Sequence, residues 1–307
     1  MTEGKALILE VKGNSLDDGP GIRTVIFFKG CPLSCDWCHN PESKSARTEL
    51  SFDAKTCIGC CTCMEICPAG ALSNDNACFV DRARCDLCLE CVEACPSGAL
   101  ERVGVEMTVE SLISEIAKDE PFFRVSGGGV TLSGGEPLLN IEFAGTLAAA
   151  LKARGVHVLV ETCGLFDFGR FAELVLPHVD TVYLDIKLMD FDEHRRHCGV
   201  SNTAILENIS RLSRLGESTD VDLLIRMPLV PGITATRENL TAVAGFLSEL
   251  GLDRVALLPY NPLWHEKCEK IGGRSPYEGV PGMTSWMTSE EVASCVKIFE
   301  DQGVHVI

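Results

Sequence analysis

Cys31-Pro32-Leu33-Ser34-Cys35-Asp36-Trp37-Cys38-His39-Asn40 is the stretch on which the reading of this chain turns. Its C-x3-C-x2-C spacing lets three thiolates wrap one turn of loop around an iron–sulfur cube. A [4Fe–4S] cube is ordinarily held by four cysteines, so three leave one iron open. An open coordination position separates a catalytic metal site from a structural one. The alternative is a zinc site or a disulfide loop, but structural zinc favours paired C-x2-C knuckles and four protein ligands. Further on, Thr131-Leu132-Ser133-Gly134-Gly135-Glu136-Pro137 offers small residues and an acid able to hold the amino end of a ligand at that iron.

Immediately before the cysteine loop, Thr24-Val25-Ile26-Phe27-Phe28-Lys29-Gly30 is a short apolar run, read as a buried strand that delivers Cys31 from its C-terminal end. The segment Asn14 to Arg23 is turn-rich by its Gly and Pro content. After Lys44 the composition changes. Cys57-Ile58-Gly59-Cys60-Cys61-Thr62-Cys63-Met64-Glu65-Ile66-Cys67-Pro68 and Cys85-Asp86-Leu87-Cys88-Leu89-Glu90-Cys91-Val92-Glu93-Ala94-Cys95-Pro96 both read C-x2-C-x2-C-x3-C-P. This is the bacterial two-cluster ferredoxin pattern, in which the fourth cysteine of each run ligates the other cluster. It places Cys57, Cys60, Cys63 and Cys95 on one cube, and Cys85, Cys88, Cys91 and Cys67 on a second. Residues 51–104 are therefore expected to form a ferredoxin-like insert between residues 1–50 and 105–307. Cys61, Cys78, Cys163, Cys198, Cys268 and Cys295 fall outside these patterns and read as small buried hydrophobes.

From residue 105 onward helical and strand patterns alternate. Strands are expected at 130–133, 157–164, 181–187, 222–231 and 254–261, with helices at 109–118, 141–154, 168–176, 191–197, 203–215, 236–250 and 289–302. With 24–30 that makes six parallel strands joined by right-handed crossovers, too few for a closed eight-stranded barrel but enough for an open, partial (β/α)6 barrel. Chemistry in such folds collects at the C-terminal ends of strands. Those ends read Cys31; Ser133 to Glu136; Glu161 and Thr162; Asp185, Ile186 and Lys187; Arg226; and Tyr260 and Asn261.

The composition bounds the partners. Seventeen cysteines suit metal binding better than disulfides in a reducing cytoplasm, which is where the absence of a leader pattern in Met1 to Glu10 puts the chain. A net charge of −17 argues against a nucleic-acid backbone as ligand, and no apolar run is long enough to span a bilayer.

With its C-x3-C-x2-C loop and its Gly134-Gly135-Glu136 run, the chain resembles the radical S-adenosylmethionine (SAM) enzymes. Asp18-Gly19-Pro20-Gly21-Ile22-Arg23, Cys38-His39-Asn40, Leu184-Asp185-Ile186-Lys187 and Leu257-Leu258-Pro259-Tyr260-Asn261, in that order, are similar to the activating enzymes of glycyl radical enzymes. That resemblance covers nearly the whole chain. It implies SAM bound at the open iron, cleavage to methionine and a 5′-deoxyadenosyl radical, and removal of a hydrogen from a backbone glycine of a partner enzyme. By position, Asp18 would lie near the partner's glycine loop. Trp37, His39, Asn40, Ser133, Gly134, Gly135, Glu136, Thr162, Asp185, Ile186, Lys187, Arg226 and Asn261 would hold SAM. Within that set Glu136 would accept from the amino group, Arg226 suits the carboxylate, and Asp185, Lys187 and Asn261 suit the ribose hydroxyls. The plainer alternatives are an ion pair for Asp185 with Lys187, a buried pair for Arg226, and core packing for Trp37.

The chain departs from pyruvate formate-lyase activators at Glu161, where those carry Asp, and at Asn261, where those carry His. A monovalent-cation site near Glu161 and Asp185 is implied by the same resemblance. The cysteine-rich insert is similar to the longer subgroup of activators, which implies three [4Fe–4S] clusters in all and a flavodoxin- or ferredoxin-type electron donor. Two other classes stand beside this reading: a radical SAM enzyme acting on a small molecule or peptide, and an electron-transfer subunit.

Overall fold

A strand buried at nearly every position needs neighbours on both sides and cover on both faces, and Arg23–Phe28, with only Phe27 partly exposed, is such a strand. In the computed structural model, which describes residues 4–215 and 219–307, it lies near one end of a nine-stranded sheet. Residues 1–3, where the stretch read for a leader begins, lie outside the described residues.

In chain order the elements are β1 (Lys5–Ser15), β2 (Arg23–Phe28), β3 (Glu49–Phe52), α1 (Thr62–Ile66), α2 (Glu90–Glu93), β4 (Leu100–Val103), β5 (Val105–Thr108), α3 (Val109–Ile116) and α4 (Glu120–Ser126). There follow β6 (Gly129–Gly134), α5 (Ile141–Ala153), β7 (His157–Thr162), α6 (Phe168–Leu174), β8 (Thr181–Asp185), α7 (Phe191–Cys198) and α8 (Thr203–Leu215). The chain then continues with β9 (Asp222–Leu229), α9 (Arg237–Glu249), β10 (Arg254–Pro259), α10 (Trp264–Lys270), α11 (Ser289–Glu300) and β11 (His305–Val306).

The strand order is β11-β10-β9-β8-β7-β6-β2-β1-β5. The six expected strands, β2 and β6 to β10, are all present and all parallel. The sheet is wider than the six-strand expectation. β1 lies antiparallel between β2 and β5, and the short β11 extends the far edge in parallel. The result is a partial barrel whose end strands, β5 and β11, do not pair with each other.

Successive side chains of a strand point to opposite faces, and here the two faces differ in chemistry. Ile26, Leu132, Val158, Val160, Val182, Leu184, Ile225 and Met227 join one continuous core with Leu112, Leu147, Phe171, Ile209, Leu240 and Phe299 of the surrounding helices. The alternate residues turn inward and are largely polar: Arg23, Thr131, Ser133, Glu161, Tyr183, Asp185 and Arg226. This inner face is tied together by hydrogen bonds, for example Arg23 Nε to Thr131 Oγ1 at 2.6 Å and Arg23 Nη2 to the Val130 carbonyl at 2.6 Å.

The cysteine-rich segment stands apart. Its first and last strands, β3 and β4, pair antiparallel with Glu49 opposite Val103, and it buries its own cluster of Leu50, Leu72, Phe79, Val80, Cys91 and Leu100. Fully buried Lys29, just after β2, fastens this root by donating to Glu49 Oε2 and to the Glu42 carbonyl, each at 2.6 Å. On the far side, Lys55 pairs with Glu266 at 2.7 Å and Lys270 with Asp53 at 2.8 Å. The partner of these contacts is α10, a short helix in a stretch expected to be loop.

Candidate active site

After β2 the chain makes a loop that closes on itself. Gly30 N–H donates to the Ser43 carbonyl at 2.7 Å and Cys31 N–H to the Lys44 carbonyl at 3.1 Å. In its middle, Ser34 N–H and Asp36 N–H donate to the carbonyls of Cys198 and His197, each at 2.9 Å, taking up acceptors left free at the C-terminus of α7. Lys44 Nζ reaches the Cys35 carbonyl at 2.7 Å. These bonds tie the loop to its own end and to α7.

That shape lines a cavity of about 250 Å³. Cys31, Cys35, Cys38, Trp37, His39 and Asn40 form one side, and the strand ends form the other: Ser133, Gly134 and Gly135; Glu161, Thr162 and Cys163; Asp185 and Lys187; Arg226; and Leu258 and Tyr260. Every one of the six strand ends reaches the same space. The three cysteines share this cavity without converging on one point, and among the described residues no three His, Cys, Asp or Glu side chains are placed to hold a single metal ion. A donor set of three thiols around a roomy cavity fits a multinuclear iron–sulfur group.

The thiols are not equivalent. A hydrogen bond from Cys198, with help from the Lys187 and Lys44 charges, lowers Cys35 to about 7 against its burial. Burial pushes Cys38 up to about 12.

The glycines of the second motif are where backbone must come close. At Gly134, φ is +106° and a Cβ would lie 2.4 Å from the Phe28 nitrogen; at Gly135 it would lie 2.3 Å from the Gly30 carbonyl. Gly134→Ala is expected to cost roughly 2–3 kcal/mol in strain and overpacking and to displace the cavity wall. Thermal melting and SAM titration of the variant check this; an unchanged Kd would show that the wall is not part of the ligand site.

Across the inner face runs an ion network. Arg226 bonds Glu161 Oε1 at 2.5 Å and Asp185 Oδ1 at 3.1 Å, Lys187 reaches Asp185 Oδ2 at 3.2 Å, and Ser133 donates to Glu161. Burial would raise Asp185, but Lys187 and Arg226 outweigh it and hold the carboxylate below its ordinary range. Burial prevails at Glu161, whose pKa is raised despite Arg226 and Ser133. Arg226 also lies over the Tyr183 ring, 5.3 Å from its centroid.

Several expected site residues have other surroundings. Glu136 does not line the cavity: fully buried, it accepts from Leu138 N–H (3.0 Å), Thr162 Oγ1 (2.9 Å) and Cys163 N–H (2.7 Å). These bonds tie the tips of β6 and β7 together. Ile186 is a core side chain, 1% exposed, whose N–H donates to the Arg226 carbonyl at 2.9 Å. Asn261 lies beside the cavity, its Nδ2 3.4 Å from His39 Nδ1, and burial followed by the Lys267 charge lowers the pKa of His39. Asp18 lies near the strand-start end of the inner face, where its carbonyl accepts from Thr131 Oγ1 at 2.7 Å. Trp37 is both core and wall, 3% exposed and lining the cavity.

Two residues read as bystanders, Cys163 and Cys198, lie at the site, and the strand-end residue Tyr260 joins them. Tyr260 lines the cavity while its hydroxyl accepts from Trp264 Nε1 and donates to the Met283 carbonyl, both at 2.9 Å. Cys163 and Cys198 pack in one buried apolar cluster with Cys35 and Trp37. The strand-end rule, carried one residue past Thr162, would have found Cys163.

In the cysteine-rich segment, Cys57, Cys60, Cys63 and Cys95 line one small cavity together with Cys61, and Cys67, Cys85, Cys88 and Cys91 line another.

The sequence profile of the Radical SAM superfamily matches residues 25–242, which spans the cysteine loop and four of the strand ends. A trans-4-hydroxy-L-proline dehydratase activating enzyme of Clostridioides difficile is 41% identical over 277 residues, 89% of each chain. A choline trimethylamine-lyase activating enzyme of Oleidesulfovibrio alaskensis is 35% identical over 98% of this chain and 97% of that one. This chain belongs to the radical SAM superfamily, among the activating enzymes of glycyl radical enzymes. In fold alone, a radical SAM methyltransferase from Sphaerobacter thermophilus is similar, with TM-score 0.55 and 14% identity over 98% of this chain and 76% of that one. Family membership accounts for the parallel sheet, the open-cornered cysteine loop and the polar inner face at once. No helix among the described residues of this activating enzyme is long and apolar enough to cross a membrane.

Proposed function

We propose that Cys31, Cys35 and Cys38 hold a [4Fe–4S] cluster with one iron free for SAM, and that the enzyme thereby installs the radical on a glycyl radical enzyme. The observation that carries this is that the three motif cysteines and all six strand ends line one cavity. When bound, such a cluster supplies the electron that breaks SAM into methionine and a 5′-deoxyadenosyl radical, which takes a hydrogen atom from a backbone glycine of the partner.

The chain's own residues position and shield. Gly134 and Gly135 bring backbone against the methionine end, Arg226 offers its planar fork to the carboxylate, and Asp185 with Lys187 meets the ribose diol. Trp37 walls the adenine, and Asn261 acts through His39, which stays neutral and so adds no charge beside the sulfonium. Glu161 and Asp185 together make an anionic corner for a monovalent cation. Asp18, whose charge is felt at Glu161, would meet the partner's glycine loop.

The two cysteine-lined cavities support a ferredoxin-like insert with two further clusters, relaying electrons from a small flavodoxin- or ferredoxin-type protein in the cytoplasm. The test mixes reduced protein, SAM and a candidate partner without oxygen. A glycine-centred doublet in the electron paramagnetic resonance (EPR) spectrum is the expected result; SAM cleavage with no doublet for any candidate partner would overturn the activation reading. In the same assay, Cys57→Ala with Cys88→Ala is expected to keep SAM cleavage under a strong small-molecule reductant and lose it with the protein donor. Unchanged activation with that donor would remove the relay.

A further inference from the structure

Helix α10 bridges the cysteine loop and the cysteine-rich segment. Trp264 seats it against the barrel, fully buried and donating from Nε1 to the Tyr260 hydroxyl at 2.9 Å. Glu266 and Lys270 hold the segment through Lys55 and Asp53. Lys267, between them, reaches the cysteine loop instead: its ammonium donates to Asn40 Oδ1 at 2.8 Å and pairs with Glu42 Oε1 at 3.2 Å. Glu42 Oε2 is buried without a hydrogen-bond partner among the described residues, so Lys267 is the charge on which this carboxylate depends. Asn40 directly precedes the short 3-10 helix Pro41–Ser43, a position where an asparagine side chain ordinarily bends back to cap the backbone. Here it makes no capping bond, and its oxygen is turned to Lys267. An ammonium has donors only, so the amide meets Lys267 with its oxygen and its NH2 group points the opposite way. The Asn40 backbone is fixed separately, since its carbonyl accepts from Ser43 N–H at 2.8 Å and Ser43 Oγ at 2.6 Å. Asn40 lines the cavity shared by the cysteine loop and the strand ends, and Lys267 does not. The orientation of a wall residue is thus set from outside the cavity.

We infer, resting on the SAM assignment above, that Lys267 is a positioning residue of the SAM site: by holding the Asn40 oxygen it aims the Asn40 NH2 group into the cavity as a hydrogen-bond donor to SAM. The carboxylate, ribose and adenine of SAM all carry acceptors, so the donor end of the amide is the useful one. Left to itself the amide could turn either end inward, and the charge-assisted bond from Lys267 removes that freedom.

The test uses anaerobically reconstituted full-length enzyme, kept oxidised so that SAM binds without being cleaved. Calorimetric titration gives the SAM Kd, and melting of the SAM-free protein is recorded alongside. Wild type is titrated first; no binding there would overturn the SAM assignment itself, and would be visible before any variant is compared. Lys267→Met is expected to weaken SAM binding roughly three- to tenfold, the worth of one hydrogen bond. Adding Glu42→Gln to it removes the carboxylate charge left unpaired, and should restore the melting temperature but not the affinity. Asn40→Asp keeps an oxygen for Lys267 and lacks the NH2 group, so it should lose affinity as Asn40→Ala does while melting no lower than wild type. Once Asn40 is alanine, Lys267→Met should weaken SAM binding no further. Additive losses in that double variant, or wild-type affinity in Asn40→Asp, would overturn the inference. Recovery of affinity with Glu42→Gln would overturn it too, since Lys267 would then serve only to neutralise Glu42.

Discussion

Cys35→Ala is expected to leave a folded protein that makes no measurable 5′-deoxyadenosine, a fall of more than ~10³-fold, because the cofactor and not the side chains carries the bond-breaking step. Its pKa is lowered to about 7, so it would enter the cluster as a thiolate more readily than Cys38, which burial holds high. It is also only 7% exposed, leaving no room for an outside thiol to replace it. Chromatographic assay of 5′-deoxyadenosine, with iron analysis, reads the result. Iron should fall by one cluster per chain while the insert's share remains. A variant that still cleaved SAM would mean that the cavity holds its reactive group by other residues.

Arg226→Met carries the second large effect, on both stability and SAM affinity. It removes the cation shared by Glu161 and Asp185, whose side chains are 10% and 22% exposed. Breaking a buried pair in this way costs about 3–5 kcal/mol. Loss of one charge-assisted hydrogen bond to the SAM carboxylate weakens binding by about tenfold or more. The pH dependence has a definite sign. Asp185, held low, contributes stability that is present above the ordinary carboxylate pKa and is lost as pH falls through its depressed value. Glu161, held high by burial, acts oppositely: its contribution is complete below the ordinary carboxylate range and is lost as pH rises through its raised value. Without Arg226 the Glu161 pKa climbs further, so the variant should lose more stability at pH 8 than at pH 5. Melting curves at the two pH values check this, and equal losses would show that the network is solvent-screened.

The parallel sheet and the convergence of its tips were legible because they depend on short-range pattern. Apolar runs ending in Cys31, Ser133, Glu161, Asp185, Arg226 and Tyr260 predict six parallel strands, and the handedness of crossovers brings those ends to one side. β1 and β5 were harder to read because an edge pair such as Leu7 with Glu106 carries weak alternation. The hydrogen bonds of Glu136 were not legible because side-chain direction depends on a local turn. Glu136 is the N-cap of the short 3-10 helix Pro137–Asn140, and a capping acid bends back onto Leu138 N–H. An acid directly before Pro137 is itself a capping signature, so that turn could have been anticipated. Cys163 and Cys198 carried no signal in spacing, since only folding brings α7 and β7 to the loop.

The paired strands β3 and β4 give the cysteine-rich segment adjoining points of departure and return, Glu49 beside Val103. A cassette with its two ends side by side can be gained or excised in a single genetic event without stretching the host, since the flanking backbone needs only a short turn to heal. The root strands thus act as a splice point. The parallel sheet can therefore carry or lack the segment without any change to its own strands.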